Sequence, residues 1–210
     1  MKRLLLCVFA VMLSGCATGQ GQPDLPYNYW YVGLSAPLYM EVWVEGVDVV
    51  DQRGLAFERV HGGTVSYSNQ TAGWHMGGGK MKQVPGVDLP EIIFVRWQSL
   101  VEPQTYNVRI DIPQWVRDEM VIPQRGYCKY NKSWKTDYMK KISIGMAPGG
   151  IAKVWLGGGC SDYKEIGRFV GEIEKRGPSQ GKTEGRYAWP ELKPESQAYI
   201  KKNGIPYGSW

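Results

Sequence analysis

Four cysteines, two histidines and a scatter of carboxylates are the groups in this 210-residue chain best placed for covalent, metal or acid–base chemistry, and their spacing limits what each can do. His61 and His75 belong to neither a His-x-x-x-His nor a Cys-x-x-Cys pattern, so no zinc site has its usual ligand spacing. Each reads instead as a surface or partly buried side chain. Asp111 falls on the polar face of an alternating segment, and Asp118 and Glu119 in a short helical one. These carboxylates therefore read as solvated surface rather than as an acid–base pair. Gly77-Gly78-Gly79-Lys80 and Gly177-Pro178-Ser179-Gln180-Gly181-Lys182-Thr183 look like phosphate loops, whose exposed N–H groups cradle oxyanions. The second has three residues rather than four before its Gly-Lys-Thr, and Arg176 stands where the first glycine belongs. Both are read as loops, with no serine nucleophile assigned in them. The expectation is a chain that is not an enzyme and uses no metal and no cofactor.

The cysteines point elsewhere. Lys2 and Arg3 precede an apolar run over residues 4–13, a layout typical of a secretory signal and too short to cross a bilayer as a helix. The run ends in Leu13-Ser14-Gly15-Cys16, which looks like a bacterial lipobox: small residues admit the peptidase, and the Cys16 thiol accepts a diacylglyceryl group. Residues 1–15 are thus expected to be a signal peptide and Cys16 the lipidated first residue of the mature chain. Acyl chains contribute about 0.8 kcal/mol per buried methylene, so several on one cysteine hold durably. Ala17 stands where an inner-membrane retention signal carries Asp, so enterobacterial sorting rules place the anchor in the outer membrane, facing the periplasm. Loss of Lys2 and Arg3 leaves a mature charge of about +3, too mild to argue for nucleic acid. Cys7 leaves with the signal, so Cys128 and Cys160 remain. In an oxidising compartment a disulfide is the default, with two buried free thiols as the rival.

Aromatic residues are abundant, with nine Trp and thirteen Tyr. Trp30, Trp43, Trp97 and Trp155 lie in apolar, β-favouring segments and read as core. Trp74, Trp134, Trp189 and Trp210 lie in expected loops, where an aromatic ring serves a partner's hot spot or sugar stacking, or else packs over the ends of the core.

The elements that must position these groups are mostly strands. Residues 16–26 are rich in Gly, Gln, Thr and Pro and read as a flexible tether, leaving 27–210 as one domain. Segments 29–34, 39–50, 92–101, 105–112, 138–146 and 151–156 carry Val, Ile, Tyr and Trp between turn residues. In the fourth, Tyr106, Val108, Ile110 and Ile112 alternate with polar residues, the period of a half-buried strand. Ala147-Pro148-Gly149-Gly150 predicts a turn that pairs the last two segments as a hairpin. Asp162 and Glu165 form a capping-box pattern ahead of Ile166, Phe169, Val170 and Ile173, which predicts a helix stopped by Gly177. Residues 113–120 and 194–203 are expected to be short helices, each opened by proline. Residues 177–185 read as a mobile loop. The fold expected is mainly β, an antiparallel β-sandwich or open barrel with a few short accessory helices.

Three phrases carry a resemblance: Tyr29-Trp30-Tyr31-Val32-Gly33 with Ala36-Pro37 and Tyr39; Pro148-Gly149-Gly150 leading to Val154-Trp155-Leu156-Gly157-Gly158-Gly159; and the closing Asn203-Gly204-Ile205-Pro206-Tyr207-Gly208-Ser209-Trp210. Together they resemble a proteobacterial lipoprotein family that carries only a domain-of-unknown-function label, over nearly the whole mature chain. That family offers no catalytic motif to transfer. Some related lipoproteins are encoded beside type VI secretion effectors and are thought to be immunity proteins that block toxins, lipases among them. The resemblance implies a protein-binding module whose partners are the membrane, through covalent lipid, and a secreted toxin. The alternative is an envelope structural or glycan-binding lipoprotein, and a hydrolase with an unrecognised site ranks last.

Overall fold

A computed structural model describes residues 21–67, 79–188 and 191–210. Two sheets pack face to face, and among the described residues no closed barrel forms. The first uses β1 (Tyr29–Ala36), β4 (Ser66–Tyr67), β5 (Lys80–Pro85), β10 (Lys141–Ala147), β11 (Ile151–Gly157) and β12 (Lys164–Val170). Its order is β12-β11-β10-β1, with β5 and β4 sharing the far edge of β1. The second runs β13 (Glu172–Ile173), β7 (Gln104–Asp111), β6 (Pro90–Ser99), β2 (Val42–Asp51) and β3 (Ala56–Thr64). A separate ribbon pairs β8 (Pro123–Cys128) with β9 (Ser133–Tyr138), and the described residues also form the helices α1 (Gln114–Met120) and α2 (Pro194–Asn203). Pairing is antiparallel except where β1 lies parallel to β10 and to β4.

The core lies between the sheets. Trp30, Val32 and Leu34 of β1 and Ile142, Ile144 and Met146 of β10 meet Ile93, Val95 and Trp97 of β6 and Val108 and Ile110 of β7, all buried. In β2 the apolar residues change parity, from Val42 and Val44 to Val47 and Val49, yet all four face inward. A bulge between Val44 and Val47 absorbs one residue and resets the alternation.

The helix expected after Asp162 is instead strand β12, continuing into β13. A second bulge explains the deceptive spacing. Val154 pairs with Gly167 and Trp155 with Glu165, which leaves Ile166 as the extra residue of β12. Ile166 and Phe169, three apart, therefore both pack on the core, whereas Val170 and Ile173 are exposed. Gly171 carries the chain from one sheet to the other. A Cβ there would stand 2.7 Å from the Asn107 carbonyl oxygen and 3.0 Å from the Trp97 ring. Residues 177–185 form no open loop but a tight turn. Gly177, Ser179, Gln180, Gly181, Glu184 and Gly185 all have left-handed φ, and the Ser179 N–H donates to the Glu45 carboxylate, which Arg96 and Gln98 also hold.

One end of the sandwich gathers β1's start, β2's end, β6's start and β7's end. There Trp30 Nε1 donates to the carbonyls of Val87 and Asp88 at 3.2 Å, and the Asp88 N–H donates to Asp51 Oδ2 at 3.1 Å. Asp51 is fully buried and also accepts Arg53 Nη2 at 2.6 Å and the N–H groups of Arg53 and Leu55. Arg53 Nη1 reaches the Gly21 carbonyl at 2.8 Å, which fixes the point where the chain enters the domain. Leu25 and Tyr27 then pack against the core.

Burial pushes the Asp51 carboxyl up, but Arg53 and the three backbone N–H groups outweigh it and hold the group below its ordinary value. A carboxyl depressed on folding stabilises the native state above its unfolded value and loses that contribution as pH falls through the native one. Stability measured by urea unfolding is therefore expected to hold from pH 7 to about 5 and to fall below about 4. Asp51→Asn should cost about 3 kcal/mol at pH 7 and flatten that acid fall.

Candidate functional site

The same end carries the β8–β9 ribbon, which follows α1 and joins neither main sheet. Register pairs Pro123 with Tyr138, Arg125 with Thr136, Tyr127 with Trp134 and Cys128 with Ser133. Cross-strand partners share a face, so Arg125, Tyr127, Trp134 and Thr136 lie together on one side. Gln124, Gly126, Cys128 and their partners occupy the other.

That rear side is covered by the turn after β11, and glycine is what lets it lie so close. A Cβ at Gly126 would stand 2.5 Å from the Cys160 carbonyl oxygen and one at Gly159 2.7 Å from Asp137 Oδ2. Cys128 and Cys160 sit at disulfide distance with Cα atoms 4.7 Å apart, inside the range a bridge requires. The bridge therefore fastens the ribbon to the β11–β12 turn, rather than to the helix expected from sequence. Glu119 of α1 adds a second clasp, receiving Lys164 Nζ from β12 at 2.6 Å and Gln124 Nε2 from β8 at 3.2 Å. At the base, Tyr27 packs edge-on against Tyr138 with centroids 5.4 Å apart.

Held from behind, the front face is open. Trp134 is 62% exposed, Tyr127 46% and Tyr130, in the turn between the strands, 98%. The Tyr127 and Trp134 rings meet edge to face at 5.7 Å, and the Arg125 guanidinium sits 5.2 Å over the Trp134 ring. Beside them Tyr127, Tyr130, Asn131, Gly159, Ser161 and Asp162 line a notch of about 390 Å³. Such a surface can bind by ring burial and cation contact.

The other sequence candidates scatter. Cys16, Trp74, His75 and Trp189 lie outside the described residues. Trp210 is half-buried at the opposite end, its indole N–H donating to the Pro148 carbonyl at 3.1 Å and its carbonyl accepting Arg168 Nε at 2.8 Å. His61 is buried between β3 and β5. Its Nδ1 accepts the Gly62 N–H at 2.8 Å, which makes Nε2 the donor to the Lys80 carbonyl at 2.9 Å, and burial lowers its proton affinity. Both ring nitrogens are spent in the scaffold. Asp111 pairs with Arg109 at 2.7 Å and Asp118 accepts Gln114, so neither faces the other or Glu119 as an acid–base couple. Among the described residues no group of three His, Cys, Asp or Glu could hold a metal ion, and no helix is long and apolar enough to cross a membrane.

The loop reading passed over one pattern. Gly177-Pro178-Ser179-Gln180-Gly181 spells the Gly-x-Ser-x-Gly of a serine nucleophile elbow, and Ser179 has the left-handed φ of 53° that such strained turns adopt. The surrounding geometry differs from an elbow. A two-residue strand precedes it, a four-residue 3-10 turn rather than a helix follows, and its serine N–H is spent on Glu45. Tyr127, Tyr130 and Arg125 of the ribbon were also missed, because nothing in 123–138 shows the period of a strand.

Reducing the Cys128–Cys160 bridge is expected to lower stability by about 3 kcal/mol and to speed amide exchange throughout 123–138. Gly126→Ala should speed exchange over the same residues even with the bridge intact, since the Cys160 backbone must move away. Hydrogen exchange with mass spectrometry checks both.

Neither the curated proteins nor the solved structures include a match to this sequence. A family model described as a protein of unknown function (DUF2931) matches residues 17–208, from just after Cys16 to two residues short of Trp210, and it spans both sheets, the ribbon and α2. The chain belongs to the DUF2931 family.

Proposed function

We propose that this protein is a lipid-anchored, non-catalytic binding module of the outer membrane, facing the periplasm, that blocks a secreted antibacterial toxin with the front face of its β8–β9 ribbon. The observation that carries this reading is the exposed Arg125, Tyr127 and Trp134 group on a ribbon braced from behind. Trp, Tyr and Arg are the residue types that dominate binding energy at interfaces. A surface already rigid loses little conformational entropy when a partner docks. Occlusion needs no nucleophile, base or metal, only a shape that fills the toxin's working surface. The lipobox supplies the location, since a toxin acting in the periplasm must be met there. The family match starts at residue 17, where the mature chain after Cys16 would continue.

A second reading rests on a different observation. A cleft of about 830 Å³ lies where the 179–188 segment crosses the second sheet, lined by Trp43, Tyr187, Leu100, Thr183 and Arg186. Two aromatic rings beside hydroxyl and guanidinium groups suit an envelope glycan. Loss of cell-wall co-sedimentation in Trp43→Ala, with no secreted protein captured, would favour it.

The proposed function has two tests. Trp134→Ala with Tyr127→Ala should weaken capture of a secreted partner by about 30-fold or more while leaving the fold intact. Unchanged capture would reject the ribbon as the blocking surface. Cys16→Ala should abolish acylation, read by mass spectrometry, and release the protein from the membrane fraction; a lipid-free native protein would reject the anchor.

A further inference from the structure

The ribbon end groups several unpaired cations within one short stretch of chain. Elsewhere Arg53, Arg96, Arg109, Lys153, Lys164 and Arg176 each face a carboxylate at 3.1 Å or less. In residues 123–138 the basic groups are Arg125, Lys129, Lys132 and Lys135, all exposed, and among the described residues no ion pair reaches any of them. The single acid of that stretch, Asp137, is already paired with Lys140 at 3.6 Å. The stretch therefore carries four basic groups against one paired acid, with the Asp162 carboxylate across the notch from it.

Apolar exposure gathers at the same place. Ile122 is 52% exposed at the α1–β8 junction, Val121 is exposed beside it in the chain, and Tyr130 is exposed in the ribbon's turn. Aromatic rings next to lysines are the composition found at membrane–water interfaces, where the ring sits at headgroup depth and the ammonium meets phosphate. Clustered Lys and Arg add attraction to anionic lipid that falls off within a Debye length.

Chain geometry brings this end to a membrane. Arg53 pins the Gly21 carbonyl, Tyr27 packs on the ribbon's base at Tyr138, and only five residue steps separate Gly21 from Cys16. Five steps reach at most about 18 Å. A lipid on Cys16 would hold the entry end, and the ribbon with it, within a short distance of the headgroups.

We infer that the β8–β9 ribbon end is a second membrane contact, in which Lys129, Lys132 and Lys135 bind anionic phospholipid headgroups and Tyr130 and Ile122 enter the interface. The orientation argument rests on the lipid-anchor reading; the charge and exposure arguments stand without it. Two contacts, acyl chains and a basic aromatic patch, fix the domain's orientation more tightly than acyl chains alone. The front face, with Tyr127 and Trp134, then stands beside the bilayer surface and stays open to a toxin that works there.

The test is amide exchange of the full-length protein on vesicles of phosphatidylcholine alone and on vesicles rich in phosphatidylglycerol. Peptides covering 120–138 should exchange about tenfold more slowly on the anionic vesicles. The triple variant Lys129→Glu, Lys132→Glu, Lys135→Glu should lose that difference while exchange in β1, β6 and β10 stays as in the parent, which shows the fold is kept. Equal exchange on both vesicles overturns the proposal, as does slowing that persists in the triple variant. Slowing seen only when a protein partner is added reassigns the cations to that partner. Flotation with both vesicle types, together with the mass of acylated Cys16, reads the anchor separately, so loss of one reading does not carry the other with it.

Discussion

A turn of glycines lying flat against the back of a two-stranded ribbon is the contact on which the proposed site depends. An isolated two-stranded ribbon is marginal in water, and this one joins neither main sheet. It persists because Gly126 and Gly159 remove the side chains that would hold the β11–β12 turn away. The Cys128–Cys160 pair and the Glu119 carboxylate between Lys164 and Gln124 then fasten the two pieces. Bracing one side leaves Arg125, Tyr127 and Trp134 outward with little freedom to collapse.

This arrangement sits at the end of the sandwich where the chain enters, and the coincidence follows from topology. β1 begins, β2 ends and β10 begins at that end, so Tyr27, the Asp51–Arg53 clasp and the base of β9 are neighbours. The opposite end is closed in another way. There the Glu102 carboxylate accepts the Gly149 N–H at 3.0 Å and the hydroxyls of Tyr106 and Tyr207, while Trp210 caps the Pro148 turn. α2 also docks there, stacking Tyr199 on Tyr39 at 4.6 Å and directing the Ser196 hydroxyl to the buried Glu41. Both ends carry polar clasps, and the ribbon end adds the exposed rings of Tyr127, Tyr130 and Trp134.

Where local period and tertiary demand agree, the sequence was legible. The alternation in 105–112, the Pro148-Gly149-Gly150 turn and the two proline-started helices all appear where the residues place them. Failure came where a bulge or a glycine contact decides the outcome. Ile166 and Phe169 mimic helical spacing because β12 carries an extra residue. β3, β5, β8 and β9 are edge or ribbon strands, rich in charge and glycine, so they lack the apolar alternation that marks a buried strand. The cysteine pairing was the default left by elimination, with free thiols as its rival, whereas Trp134, expected in a loop, lies in strand β9. Its grouping with Tyr127 and Arg125 was not readable, because that depends on register.

The account stands or falls on whether the ribbon's open face is covered where the protein works. Hydroxyl-radical footprinting of the native protein in intact envelopes, compared with the purified protein in detergent-free buffer, measures this at single side chains. The account predicts that Tyr127, Tyr130 and Trp134 are labelled strongly in the purified protein and weakly in the envelope, with Phe94 on the outer face of the second sheet labelled alike in both. Equal labelling of the three ribbon aromatics in the two settings would contradict it.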